Sequence, residues 1–106
     1  MITYTYCLFF KEKGEINMNN TLHTCPCCGY KTLEESPGNF EICPICYWED
    51  DNIQLNDPHY EGGANKVSLY QAQKNFLSFG ASDESYINSV RKPSTLDLKD
   101  TNFKVF

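Results

Sequence analysis

No stretch of this chain stays apolar for the roughly 20 residues a membrane-spanning helix needs, so no bilayer crossing is expected. Positive charge is scarce: nine Lys and Arg stand against fourteen Asp and Glu, a formal net charge of −5. Affinity for nucleic-acid phosphates and anionic lipid surfaces comes from clustered cations. Both partners are therefore disfavoured, and a protein with a basic surface is the electrostatic match. The apolar run from Tyr4 to Phe10 has no basic start and no small-residue cleavage site. A secretory signal is not expected, and the protein is placed in the cytoplasm.

At 106 residues the chain makes one domain at most. A domain of this size buries only roughly 60–65% of its unfolded surface, which leaves its core marginal without a staple. Seven Phe, seven Tyr and one Trp argue for a folded chain rather than a disordered one. The six cysteines supply the candidate staple. In a compartment that disfavours disulfides, C-x-x-C pairs are metal ligands rather than cross-links.

Residues 1–17 stand apart from the rest. The aromatic, β-prone stretch around Tyr6 and Phe9 is followed by Lys11-Glu12-Lys13-Gly14-Glu15, and codons for Lys-Gly-Glu can spell a purine-rich ribosome-binding sequence just before the in-frame Met18. Translation starting at Met18 is one expectation, and an N-terminal strand or arm is the other. Cys7 has no partner at knuckle spacing under either reading.

The remainder divides into a domain over residues 18–93 and a C-terminal tail, 94–106, with no firm signal. Strands are expected over 29–33 and 39–42, joined by the turn Ser36-Pro37-Gly38-Asn39, in which Pro presets φ and Gly permits positive φ. A helix is expected over 68–79. Ser68 and Gln71 form a capping-box pair, Gly80 is the stop, and Leu69, Ala72, Phe76 and Phe79 recur near helical spacing. A shorter second helix is expected over 83–90, before Pro93. The fold class is a small α+β domain: a zinc-ribbon-like β-hairpin with two cysteine knuckles and one or two packed helices.

The chemistry sits in Cys25, Cys28, Cys43 and Cys46, spaced C-x2-C-x14-C-x2-C. A two-residue spacer lets both sulfurs of a knuckle reach one ion, and four sulfurs complete a tetrahedron that zinc accepts. Four thiolates close the shell, so one Zn2+ per chain would be structural and its binding energy would become folding energy. Iron is the alternative metal. It would make an electron carrier similar to rubredoxin, whose knuckles run C-P-x-C-G, although Tyr47 replaces the glycine after the second knuckle here. Cys27 is a spare thiol, an alternate ligand, or a reactive group beside the ion. The acidic run Glu49-Asp50-Asp51, with Trp48 before it and His59 and Asn65 beyond, is a candidate binding surface. The plainer reading is a solvated acidic loop, with Trp48 covering the metal site.

The segment from Thr24 to Leu33 and that from Glu41 to Asp51 resemble the cysteine-rich CPCC family of small bacterial proteins. The similarity runs on through Asp57-Pro58, Gly62-Gly63-Ala64-Asn65, Ser68-Leu69, Asn75-Phe76 and Phe79-Gly80-Ala81. It implies a bacterial source and zinc-ribbon-like knuckles, and it supplies no reaction. The expected function is a zinc-stabilised protein-interaction module, an immunity or adaptor role being one version by analogy, with no catalytic residue assigned. The alternative from another class is a small metal-assisted hydrolase using Glu49, Asp50, Asp51 and His59.

Overall fold

The computed structural model describes residues 22–106. The two readings of residues 1–17, and those of Cys7 and Met18, lie outside the described residues. The chain forms β1 (His23–Thr24), β2 (Lys31–Leu33), α1 (Asn52–Asn56) and α2 (Leu69–Phe79), followed by one 3-10 turn, Glu84–Tyr86. This is the expected small α+β fold, with a two-stranded antiparallel hairpin and two helices around a four-cysteine cluster.

Strands are short because each knuckle bends the chain back within a few residues. Cys25 N donates to Tyr30 O at 2.8 Å and Gly29 N donates to Cys25 O at 2.9 Å, closing the first loop. That closure sets His23 opposite Leu33 and Thr24 opposite Lys31, with an irregularity between the two pairs. Gly29 has φ 82°, and a Cβ there would lie 2.7 Å from the Phe103 ring, so both backbone and space demand glycine. The second knuckle repeats the plan. Tyr47 N donates to Cys43 O at 2.8 Å, Cys43 N donates to Trp48 O at 3.0 Å, and Ile42 bridges Glu49.

The partner of β2 is therefore β1, not residues 39–42. Phe40 N donates to Asp50 O at 2.9 Å and Asp50 N to Glu41 O at 3.0 Å, so 39–42 pairs across its own knuckle. The physical reason is local closure: each C-x-x-C loop brings its own flanks together sooner than the longer 34–41 connection can. What joins the two ribbons there is the Glu41 carboxylate, which accepts from Glu34 N at 3.0 Å and Glu35 N at 2.9 Å. The tail covers the other edge of β2, with Lys31 N donating to Leu98 O at 2.9 Å and Asp100 N to Gly29 O at 2.9 Å.

Helix α2 starts and stops where its caps dictate. Ser68 Oγ accepts from Gln71 N at 3.1 Å, and Gly80 turns left-handed at φ 82°. The capping box is only half made, because the Gln71 side chain donates to Asn75 Oδ1 at 2.8 Å instead of reaching back. Leu69 and Ala72 face inward onto Leu33, Ile45, Trp48 and the cysteines. Gln73, one step along the same face, donates to Pro26 O and Lys104 O at 2.9 Å each and accepts from Phe106 N at 2.9 Å. It ties knuckle, helix and tail together. The helix expected over 83–90 is only the 3-10 turn, capped by Asp83, because Ile87 is left exposed and no apolar stripe anchors a longer one. Helix α1 replaces part of the expected acidic loop, started by Asp51.

Replacing Ser68 by Ala leaves the Gln71 amide unpaired at a buried helix start. It should lower stability by about 1 kcal/mol, whereas Ser68→Asp should hold close to wild type. Urea unfolding at fixed saturating metal measures both.

Candidate metal centre

Each knuckle contributes two thiols, and the two pairs interleave. Cys25 Sγ lies 3.5 Å from Cys46 Sγ and Cys28 Sγ lies 3.7 Å from Cys43 Sγ, both contacts crossing between knuckles. All four sulfurs lie within 4.8 Å of one another. None is in a disulfide, and each side chain is at most 1% exposed. A tetrahedral site with metal–sulfur bonds of about 2.3 Å has sulfur–sulfur edges of about 3.8 Å, so these residues fit a four-thiolate ion.

The electrostatics of the cluster point the same way. Burial pushes the Cys25 and Cys46 thiols up, because a charged sulfur is poorly accommodated out of water. Cys43 is held far below the ordinary thiol value by hydrogen bonds from Cys25, Cys28 and Cys46, with Thr32 adding another. Four thiols enclosed together out of water are a poor place for several unpaired negative charges. More than one thiolate calls for a cation, and a metal ion at the centre is a group that would compensate it. Thr32 Oγ1 lies 3.1 Å from Cys43 Sγ, placed to donate to the thiolate.

Cys27 is outside the four-sulfur group and 2% exposed, so it is an enclosed fifth sulfur. His23 sits on β1 beyond the cluster. Of the candidate binding surface, Trp48, Asp50, Asp51 and Asn65 are buried rather than presented to solvent. Asp51 caps α1, its Oδ1 accepting from Ile53 N at 2.8 Å, while its Oδ2 accepts from Ala64 N at 2.8 Å. Asp50 Oδ2 accepts from Gly38 N at 2.9 Å. The Asn65 side chain pairs with the Glu49 backbone like a neighbouring strand. Its Oδ1 accepts from Glu49 N at 2.9 Å and its Nδ2 donates to Glu49 O at 2.7 Å. His59 is exposed and stacks against Tyr70, with ring centroids 4.7 Å apart. Among the described residues the four cysteines alone form a group of three or more His, Cys, Asp or Glu side chains close enough to hold an ion. Glu49, Asp50, Asp51 and His59 do not converge.

Sequence reasoning missed Gln54, which is fully buried. It donates to Tyr60 O at 3.1 Å and Val67 O at 3.0 Å and accepts from Asn65 Nδ2 at 2.9 Å, holding the 57–67 loop. No periodic signal marks it. Gln73 had one, since it interrupts the apolar face of α2. Gly63 belongs to the same network: a Cβ there would lie 2.5 Å from Asp51 Oδ2.

The family model described as Cysteine-rich CPCC matches residues 23–97, well over half the chain. Among curated proteins, Rubrerythrin-2 of Clostridium acetobutylicum is 43% identical over 44 residues, which make up 42% of this chain and 22% of that one. The chain thus aligns with less than a quarter of that relative's length.

Thr32→Val removes the hydroxyl beside Cys43 while keeping the side chain's shape. Metal affinity should fall by about tenfold, within the 10–100-fold typical of groups that hydrogen-bond metal ligands. Competition against a chromogenic chelator measures it.

Proposed function

The chain belongs to the cysteine-rich CPCC family, and from that premise we propose that it is a non-catalytic zinc-stabilised module that binds a protein with a basic surface. The single observation that carries this reading is the closure of the site. All four candidate ligands are thiols, all are buried, and no fifth position opens to solvent for water or substrate. Zinc bound there would supply two positive charges to offset half of the negative charge on four thiolates. Cys25 and Cys28 would hold it from the first knuckle, and Cys43 and Cys46 from the second. Thr32 would hydrogen-bond the Cys43 thiolate.

The rest of the chain supports binding over hydrolysis. The carboxylates of Asp50 and Asp51 accept backbone N–H groups, and a hydrolase would need them directed at a substrate. Glu34, Glu35 and Glu61 lie exposed on a chain of net charge −5, alongside the exposed Ile53 and Tyr60. That combination suits a basic partner. No described helix is long and apolar enough to cross a membrane. Five free thiols among the described residues fit a reducing compartment, and we place the protein in the cytoplasm on that ground.

Iron is the second reading. The partial likeness to Rubrerythrin-2 and the C-P-x-C-G form of the first knuckle favour it, since a tetrahedral four-sulfur site suits either metal.

Protein purified without chelator should contain one zinc per chain by plasma mass spectrometry and be colourless, and joint Cys43→Ser and Cys46→Ser substitution should abolish both metal content and cooperative unfolding. A red, iron-loaded protein would establish the second reading instead. Retention of the basic partner should need the intact cysteines and weaken as salt rises. Equal retention by the double-serine form would count against the binding role.

A further inference from the structure

In an antiparallel pair, residues that face each other either exchange hydrogen bonds or turn both their N–H and C=O groups outward. Ile42 and Glu49 in the second ribbon are of the outward kind. The bonds lie on either side of them, Asp50 N donating to Glu41 O and Cys43 N to Trp48 O, each at 3.0 Å. At Glu49 both outward groups are taken by the Asn65 side chain, at 2.9 and 2.7 Å. At Ile42 the outward N–H and C=O meet no partner among the described residues. The outer edge of β2 differs in this respect, because the tail covers it through Leu98 O.

The open edge lies at the surface. Ile42 is 44% exposed and Phe40, two residues before it, is 55% exposed. Unpaired strand groups beside exposed apolar side chains are a template for one more strand. The surrounding charge says which strand would suit. Between Lys31 and Lys66 there is no Lys or Arg, while eight Asp and Glu fall in that stretch. Glu49 stands opposite Ile42 across the ribbon. The Glu41 carboxylate accepts from the amides of Glu34 and Glu35 at 3.0 and 2.9 Å, which brings two more exposed acidic residues alongside. A second copy of this chain would set those acids against themselves, whereas a segment carrying Lys or Arg would meet opposite charge.

We propose that the Ile42 edge takes an extended segment of the basic partner as an added strand. An apolar residue of that segment exchanges two main-chain hydrogen bonds with Ile42, and Lys or Arg stands on either side of it. The surface rests on the basic-partner reading and names where that partner is held.

The test is a titration of 15N-labelled, zinc-loaded full-length protein with the peptide acetyl-Lys-Val-Lys-Val-Lys-amide. The Ile42 amide proton should move downfield and saturate, with a dissociation constant on the order of 1 mM. Two altered peptides separate the causes: glutamates in place of the lysines reverse the charge, and N-methylation of both valines removes the donors to Ile42 O. Each should bind about tenfold more weakly or worse. Ile42→Pro deletes the edge donor where proline is tolerated, and should give the same loss with metal content unchanged. If that variant does not fold, Glu34→Lys with Glu35→Lys keeps the backbone edge and should reverse the preference between the lysine and glutamate peptides. Undiminished binding of the N-methylated peptide, or by Ile42→Pro, would overturn strand addition. Shifts confined to residues away from 40–42, or no shifts at all, would overturn this edge as the surface. An Ile42 shift produced by raising protein concentration alone would make a second copy the occupant and overturn the partner's segment. The basic-partner reading stands or falls separately, on salt-dependent partner retention.

Discussion

Four thiols brought within van der Waals reach of one another, out of water and without disulfides, are the constraint on which this structure turns. Among the described residues, five of the eleven buried apolar ones are cysteines, so the cluster occupies the middle of the core instead of decorating it. Leu33, Ile45, Trp48, Leu69 and Ala72 pack around the sulfurs. A core of that size is marginal by area alone. Deprotonated, the cluster would drive itself apart; protonated, it would forgo the one interaction strong enough to fix both knuckles. A central cation would resolve this, and it would make metal binding and folding a single equilibrium.

Residues that resemble catalytic groups in sequence are struts in the fold. Asp51 ends the second ribbon and begins α1, and its other oxygen reaches the 57–67 loop. Asn65 gives Glu49 the two hydrogen bonds an adjacent strand would have given, at 2.9 and 2.7 Å. Gln54 fills the space between, its side chain bonding four more backbone groups: Tyr60 O, Asn65 O, Val67 O and Asn65 N. A loop without regular structure thereby satisfies its buried backbone through side-chain amides and carboxylates. That use explains why acids and amides cluster beside the second knuckle with no converging oxygen ligands.

Residue type and spacing made two things legible. The four cysteines converge because C-x-x-C geometry is local, and α2 runs from Leu69 to Phe79 because Ser68 and Gly80 act within one turn of their own positions. What was not legible depends on distant partners. Residues 39–42 have strand-like composition, yet their pairing is decided by the closure of the second knuckle. The acidic run looks solvated until Gly38, Ala64 and the start of α1 supply N–H groups for it. The tail carries no periodic signal because it joins a sheet edge through backbone groups, which any sequence possesses, with Leu98 O receiving Lys31 N.

The two knuckles differ at one backbone position, and that difference shows how each is anchored. Gly29 and Tyr47 both follow the second cysteine of their pair with positive φ, 82° and 69°. At Gly29 the tail presses so close that no Cβ fits, and Lys99 Nζ donates to Cys28 O at 3.0 Å above it. At Tyr47 a side chain is tolerated although left-handed backbone costs a non-glycine residue about 1–2 kcal/mol. Its ring meets Tyr86 at 4.7 Å between centroids, a contact of about 0.5–1.5 kcal/mol beyond area burial. Ser82 N donates to Cys46 O at 2.7 Å beside it. The strain is therefore largely offset by docking the 82–86 segment. One knuckle is held by backbone pressed against it and the other by an aromatic side chain reaching out, so the departure from glycine at Tyr47 is an anchoring device of the second ribbon rather than a defect in a metal-binding loop.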